Sequence, residues 1–158
     1  MAGRGSFRVG QLFLTFALTA GLAGVCLWIS TVDFRERRIP DMASLPLVAA
    51  GLLVSGFVSG VPLADRLIGA GAGFLLLWAM GEAYFRARGA EALGIGDAKL
   101  FGAAGAWLGW SALPTVLLIA AVMGLVYAAL RPKARADGLA FGPWLCAGFL
   151  IVWLHVVW

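Results

Sequence analysis

Apolar residues fill this chain in long blocks, broken only by short polar clusters. A bilayer-crossing helix needs roughly 20 mainly apolar residues, fewer where it enters a protein-lined cavity, and the fourth block is short and glycine-rich. The blocks predict six spans: about Gln11 to Val32, Met42 to Val58, Leu67 to Phe85, Leu93 to Trp110, Leu113 to Leu130 and Leu139 to Val157. Only Trp110-Ser111-Ala112 separates the fourth from the fifth, and Pro114 argues for a break there, because proline suits the first turn of a helix. The longest polar stretches are Asp33 to Asp41, Arg86 to Glu91 and Arg131 to Asp137, too short for a water-soluble domain. The expected fold is therefore an all-α, polytopic six-helix bundle, with 1–158 as one membrane-embedded domain.

Composition agrees: of 158 residues, 62% are apolar and 13% charged, against about a quarter charged in a typical soluble domain. The distribution of charge adds more than its net value of +4. Six spans put loops one, three and five on one side, with Arg35, Arg37, Arg38, Arg86, Arg88, Lys99, Arg131, Lys133 and Arg135. The other side has only Arg4, Arg8 and Arg66. An excess of basic residues marks the cytoplasmic side, so both termini are expected outside. Topology accounts for the basic residues, and no nucleic-acid partner is needed.

The 22 glycines cluster in the third and fourth spans. Gly69 with Gly73, and Gly105 with Gly109, have the spacing that lets membrane helices approach closely. The seven tryptophans lie mainly near predicted span ends, as in an interfacial belt. Cys26 and Cys146 lie inside apolar spans without a Cys-x-x-Cys pattern and read as small buried hydrophobes. The N-terminal run continues past Cys26 and reads as a retained helix rather than a cleaved signal.

Acids in or beside a bilayer are candidates for function, because lipid does not solvate them. Glu36 and Asp41 neighbour arginines in a polar loop, Asp65 adjoins Arg66 at a helix start, and Glu91 and Asp137 are loop residues. Glu82 stands one turn before Arg86, the spacing of an ion pair on a helix surface. Asp33 and Asp97 differ. Asp33 ends the first predicted span and Asp97 opens the fourth, which places both at the cytoplasmic side. Two carboxylates held close share a proton, leaving one ionised to activate water and one protonated to polarise a carbonyl. Gly94 and Gly96 would let backbone approach a substrate strand. On the residues alone, such a dyad stands beside the plainer reading of two solvated helix-end acids.

Three segments resemble one family. Asp33-Phe34-Arg35-Glu36-Arg37-Arg38-Ile39-Pro40-Asp41 is similar to the first-aspartate motif of type IV prepilin peptidases. Gly94-Ile95-Gly96-Asp97-Ala98-Lys99-Leu100, with Ala103-Ala104-Gly105-Ala106-Trp107-Leu108-Gly109 after it, resembles their Gly-x-Gly-Asp motif, and Phe141-Gly142-Pro143-Trp144 resembles their late Pro-Phe-Gly-Pro element. Asp41 stands where the family usually has Asn, and Ala140 where it has Pro. The resemblance implies an aspartic endopeptidase of the bacterial inner membrane, with Asp33 and Asp97 catalytic at the cytoplasmic face and no metal or cofactor. The implied substrate is a pilin or pseudopilin precursor, cut after its basic leader, with membrane lipid as surroundings. It further implies the short form that serves tight-adherence pili, without the cysteine-bearing cytosolic segment and without methyl transfer. Gly94, Gly96 and Lys99 fall in the second motif, and Arg38 and Pro40 in the first. Lys99 otherwise reads as a helix-end anchor, since it lies about 200° round a helix from Asp97. Arg38 and Pro40 read as loop geometry and lipid contact, and His155 as interfacial. A presenilin-type protease also uses Gly-x-Gly-Asp but carries a Pro-Ala-Leu motif that is missing here. A small transporter or export subunit, with the two aspartates relaying protons, is the alternative from another class.

Overall fold

The computed structural model describes residues 3–89, 93–131 and 140–158, with side chains from residue 10 onward. The side chains of Arg4 and Arg8, and Glu91, Lys133, Arg135, Asp137 and Leu139, all used in the sequence reading, lie outside the described residues. Helices fall in all six expected places: α1 (Gly3–Glu36), α2 (Asp41–Ser59), α3 (Leu63–Arg88), α4 (Ile95–Leu108), α5 (Leu113–Leu130) and α6 (Gly142–Val157). Among the described residues, α1 to α3 and the segment Trp110–Leu130 are long and apolar enough to cross a membrane. The fourth and sixth predicted spans come out shorter, at 14 and 16 residues. A helix of 14 residues is roughly 21 Å long, less than the hydrocarbon thickness of about 30 Å. It is tolerated because its neighbours cover it: every residue from Leu100 to Leu108 is buried.

The outer surface is what identifies the solvent. Phe13, Leu53, Phe57, Leu125 and Leu130 are 72–74% exposed, spread over α1, α2 and α5. Side chains that large and apolar, exposed all round a bundle, suit lipid rather than water. The chain is a polytopic all-α membrane protein.

Packing follows from the small residues. α3 and α4 run antiparallel with backbones in contact: a Cβ on Gly69 would stand 2.6 Å from the Gly105 carbonyl, and one on Gly73 2.9 Å from that of Phe101. The expected role holds at Gly69, Gly73 and Gly105, whereas Gly109 lies past the end of α4 with φ 80, and Gly71 of α3 faces open space. α6 packs antiparallel against both α1 and α5. The Cys26 and Cys146 side chains touch in the α1–α6 seam, and both thiols are free and buried.

The tryptophan expectation needs correction. Trp107 and Trp153 are buried and meet edge to face, with ring centroids 5.0 Å apart. Their indole N–H groups donate to the Leu47 carbonyl (2.8 Å) and to Thr19 Oγ1 (3.0 Å), so both rings serve the core instead of an interfacial belt. Arg66 also departs from its reading as a partner of Asp65 at a helix start. It is buried, and its Nη1 donates to the carbonyls of Gly51 (3.0 Å) and Leu52 (2.9 Å) and to Ser55 Oγ (3.4 Å). Those residues form a π turn, Gly51–Ser55, within α2. A π turn widens the helix and disturbs its regular ladder, and the guanidinium supplies donors to its carbonyls. The predicted break before α5 is present: Gly109 has φ 80, a short 3-10 turn follows, and Pro114 sits in the first turn.

Candidate active site

Asp33 is not the last residue of the first helix, as the apolar pattern implied. α1 continues to Glu36 and stops where Arg37 turns left-handed (φ 53), its N–H still reaching the Asp33 carbonyl at 2.9 Å. Asp33 therefore lies one turn inside the helix, and it is 5% exposed. Its carboxylate meets the start of α6, where the Gly142 N–H donates to Oδ2 at 3.1 Å. The first turn of a helix has N–H groups without intrahelical partners. Pro143 has none to give, and those of Trp144 and Leu145 are taken by the Phe141 carbonyl. Gly142 is left to serve the carboxylate. A Cβ on Gly142 would lie 2.7 Å from Asp33 Oδ2 and 3.1 Å from Ile39 Cδ1, so glycine is required for this approach.

Asp97 occupies the third position of α4, and its Oδ2 accepts the Gly94 N–H at 3.1 Å. This is the acidic half of a capping box, and it fixes the carboxylate over the helix start. Gly96 has a task inside the fold as well. A Cβ there would stand 2.8 Å from Ile39 Cβ, so the glycine admits the chain's own Ile39. Ile39 thus fits between the glycines that open α4 and α6. Its place in the first motif was visible in the sequence, but its task depends on helices far apart along the chain.

Lys99 is not merely a helix-end anchor. Its Nζ pairs with Asp41 Oδ1 at 2.6 Å and so ties the start of α4 to the start of α2. Asp41, expected to sit among loop arginines, is the first residue of α2. Pro40 precedes it in extended conformation (φ −69, ψ 135), and its carbonyl accepts the N–H groups of Ala43 and Ser44.

These parts line an open cavity of about 580 Å³ at one end of the bundle. Asp33, Arg38, Pro40, Gly94, Gly96 and Asp97 all line it, together with Glu36, Arg37, Ile39 and Asp41. Of the residues that the two aspartate motifs supplied, Lys99 is not in its wall, and Lys99 holds Asp41, which is. Asp33 and Asp97 reach the cavity from different helices and are near enough for the charge on one to act on the other. Arg38 is exposed at the rim. Glu82 pairs with Arg86 at 2.7 Å, as its spacing predicted, and borders a separate recess that shares Gly94 and Ile95. His155 is exposed in the last turn of α6. Among the described residues, no group of three or more His, Cys, Asp and Glu side chains is placed to hold a metal.

The type IV leader peptidase family profile matches residues 20–129, which include both aspartates. The chain is 42% identical over 149 residues to a prepilin leader peptidase/N-methyltransferase of Pectobacterium carotovorum subsp. carotovorum, covering 83% of this chain and 53% of that protein. It is 38% identical over 152 residues to the protein of the same name from Escherichia coli (strain K12), covering 94% and 64%. A third, from Burkholderia pseudomallei (strain 1026b), is 44% identical over 153 residues, covering 91% and 50%. The chain thus spans about half to just under two thirds of the length of these relatives. No solved structure matches it. With the profile covering most of the chain, the protein belongs to the type IV leader peptidase family.

Proposed function

We propose that this protein is a membrane aspartic endopeptidase that removes the basic leader from type IV pilin-like precursors. The observation that carries the reading is the convergence of Asp33 and Asp97, from separate helices, on one cavity at the end of the bundle. The ionised carboxylate draws a proton from water, and the protonated one donates to the scissile carbonyl oxygen as the tetrahedral centre forms. Gly142 and Gly94 each hold one carboxylate oxygen through a main-chain N–H. Such fixed donors orient the acids without side-chain rearrangement. Nothing in the step requires a cofactor.

The chain acts as one peptidase domain in the bacterial inner membrane. The basic-residue bias puts the cavity at the cytoplasmic face and both termini outside. The relatives bear names that include N-methyl transfer. Our reading for this chain is hydrolysis alone, on tight-adherence-type pilin or pseudopilin precursors. The deciding experiment incubates purified protein in detergent with a synthetic precursor and a sulfonium methyl donor and weighs the products. Leader release that is lost in Asp33→Asn and in Asp97→Asn supports the proposal. Undiminished release by either variant refutes the dyad, and a product heavier by one methyl group refutes the restriction to hydrolysis.

A further inference from the structure

A second cavity, about 320 Å³ and almost wholly apolar, opens between α1 and α2. Ala17, Gly21 and Trp28 form one wall, Met42 and Pro46 the other, and Trp107 closes the floor. It lies next to the acid cavity along both helices, although no residue lines both. Trp28 lies one turn before Val32, and Met42 directly follows Asp41, and Val32 and Asp41 both line the acid cavity. From Gly21 to Asp33 the path along α1 is roughly 18 Å.

Gly21 differs from the glycines that helix packing requires, as do Gly10 and Gly24 on the same helix, but of these three only Gly21 lines the groove. The glycines at α-helix crossings, such as Gly51, Gly69 and Gly105, have neighbours where a Cβ would stand, so the fold itself demands them. Around Gly21 nothing lies within 4 Å of a built Cβ. α1 spends its inner face on α6, through Thr19 and Trp153, and leaves its Ala17–Gly21 side open toward α2. Small residues without an internal partner, on a membrane-facing groove, provide for close approach by another helix.

We infer that the α1–α2 groove receives the apolar helix of the precursor, with the scissile bond at its end delivered to Asp33 and Asp97. The inference rests on the leader-peptidase reading. A substrate that crosses the bilayer keeps its apolar segment in lipid while its leader is cut. That segment must therefore lie alongside the bundle and end at the acids, which is the course of this groove. An acyl chain would fill the same crevice, but it brings no peptide bond to the cavity.

The test places a photoreactive phenylalanine at Ala17, Gly21 or, as control, Gly71 on α3, which also faces open space. The full chain is reconstituted in phosphatidylethanolamine–phosphatidylglycerol vesicles with a labelled precursor made of a basic leader and an apolar helix. Adducts to the precursor from positions 17 and 21, absent from 71 and removed by excess unlabelled precursor, are expected. Adducts to lipid alone, or equal precursor adducts at all three positions, overturn the inference. In parallel, Gly21→Leu should raise KM for the vesicle-inserted precursor about tenfold with kcat little changed, because it removes binding and leaves the acids alone. Gly71→Leu should leave both unchanged. Dead Asp33→Asn and Asp97→Asn proteins beside a normal KM and no adducts at 21 would end the groove and keep the peptidase. Active aspartate variants with groove adducts would do the opposite. If Gly21→Leu does not insert, the crosslinks decide.

Discussion

At one end of the bundle the Asp33 carboxylate takes the Gly142 N–H and borders a cavity of about 580 Å³. At the other, the Arg66 guanidinium is buried among two carbonyls and a hydroxyl of the α2 π turn. Lipid solvates neither group, so both need the protein to replace water. The solutions differ in what they leave over. The oxygens around Arg66 belong to the fold, and its Nη1 is used to repair a local disturbance of α2, while its Nε is buried without a partner. Asp33 keeps a face toward a cavity that a second acid shares. Burial of a charge in a membrane protein therefore does not by itself mark a site. A buried charge that the chain encloses is structural, and one that faces shared space is available for chemistry.

The largest effect expected from this contrast falls on activity at the Asp33 end. Asp33→Asn or Asp97→Asn should lower precursor processing roughly a thousandfold or more, and the double variant should be little worse, because residues acting as a unit are not additive. Both proteins should insert normally. Processing in membranes at matched protein levels measures this, and near-normal cleavage by either would also return the proton-relay alternative to consideration.

Gly142→Ala comes next. The added methyl carbon would stand 2.7 Å from Asp33 Oδ2 and must push the carboxylate or α6 aside. A misplacement of this kind near a reacting group reduces turnover by about a hundredfold. The expected result is a folded protein with kcat reduced and KM largely retained. If Gly142→Ala turned over normally, the Gly142–Asp33 contact would not be what positions the acid.

Arg66→Met should show the reverse pattern. Loss of the guanidinium leaves the Gly51 and Leu52 carbonyls without its donors in a buried place, at a cost of roughly 2–4 kcal/mol. Thermal unfolding in detergent should shift down clearly, while kcat of the folded fraction stays close to the parent value. A large kcat loss at unchanged stability would erase the distinction between the two ends.

How much of this was legible along the chain follows the same division. Asp33, Asp97 and the six helices announce themselves locally, through apolar blocks, glycine motifs and Pro114. The end of α1 does not, because it is set by the left-handed turn at Arg37, and hydropathy ends four residues earlier, at Val32. The tasks of Gly142, Gly96 and Ile39 need three helices to meet. Arg66 looked like a partner of Asp65 at a helix start because a π turn has no sequence signature that would summon it. Trp107 and Trp153 lie near span ends by number, yet the crossing of α4 and α6 carries them into the core.

The smallest effect expected, and the finest test of the comparison, concerns Lys99 and Asp41. Their pair is shorter than most, at 2.6 Å, but Asp41 is 60% exposed, so water competes for both charges. Exposed pairs contribute about 0–1 kcal/mol, far from what Arg66 supplies. The value of this pair is positional: it joins the start of α2, which follows the Asp33 motif, to the start of α4, which carries Asp97. Lys99→Ala should therefore reduce kcat only severalfold, with stability near that of the parent. Asp41→Asn should be milder still, because the amide oxygen remains an acceptor for the ammonium, and Asn is the residue the family usually has there. Asp41→Ala removes that acceptor and should match Lys99→Ala. The double Ala variant should then be no worse than either single, the signature of one shared contact. Raised salt should lower parental activity toward the Lys99→Ala level and leave that variant unmoved, since screening acts on an exposed pair. If the two alanine losses multiplied instead, Lys99 would be acting on the substrate or on Asp97 directly, and it would belong with the acids rather than with the scaffold that holds them.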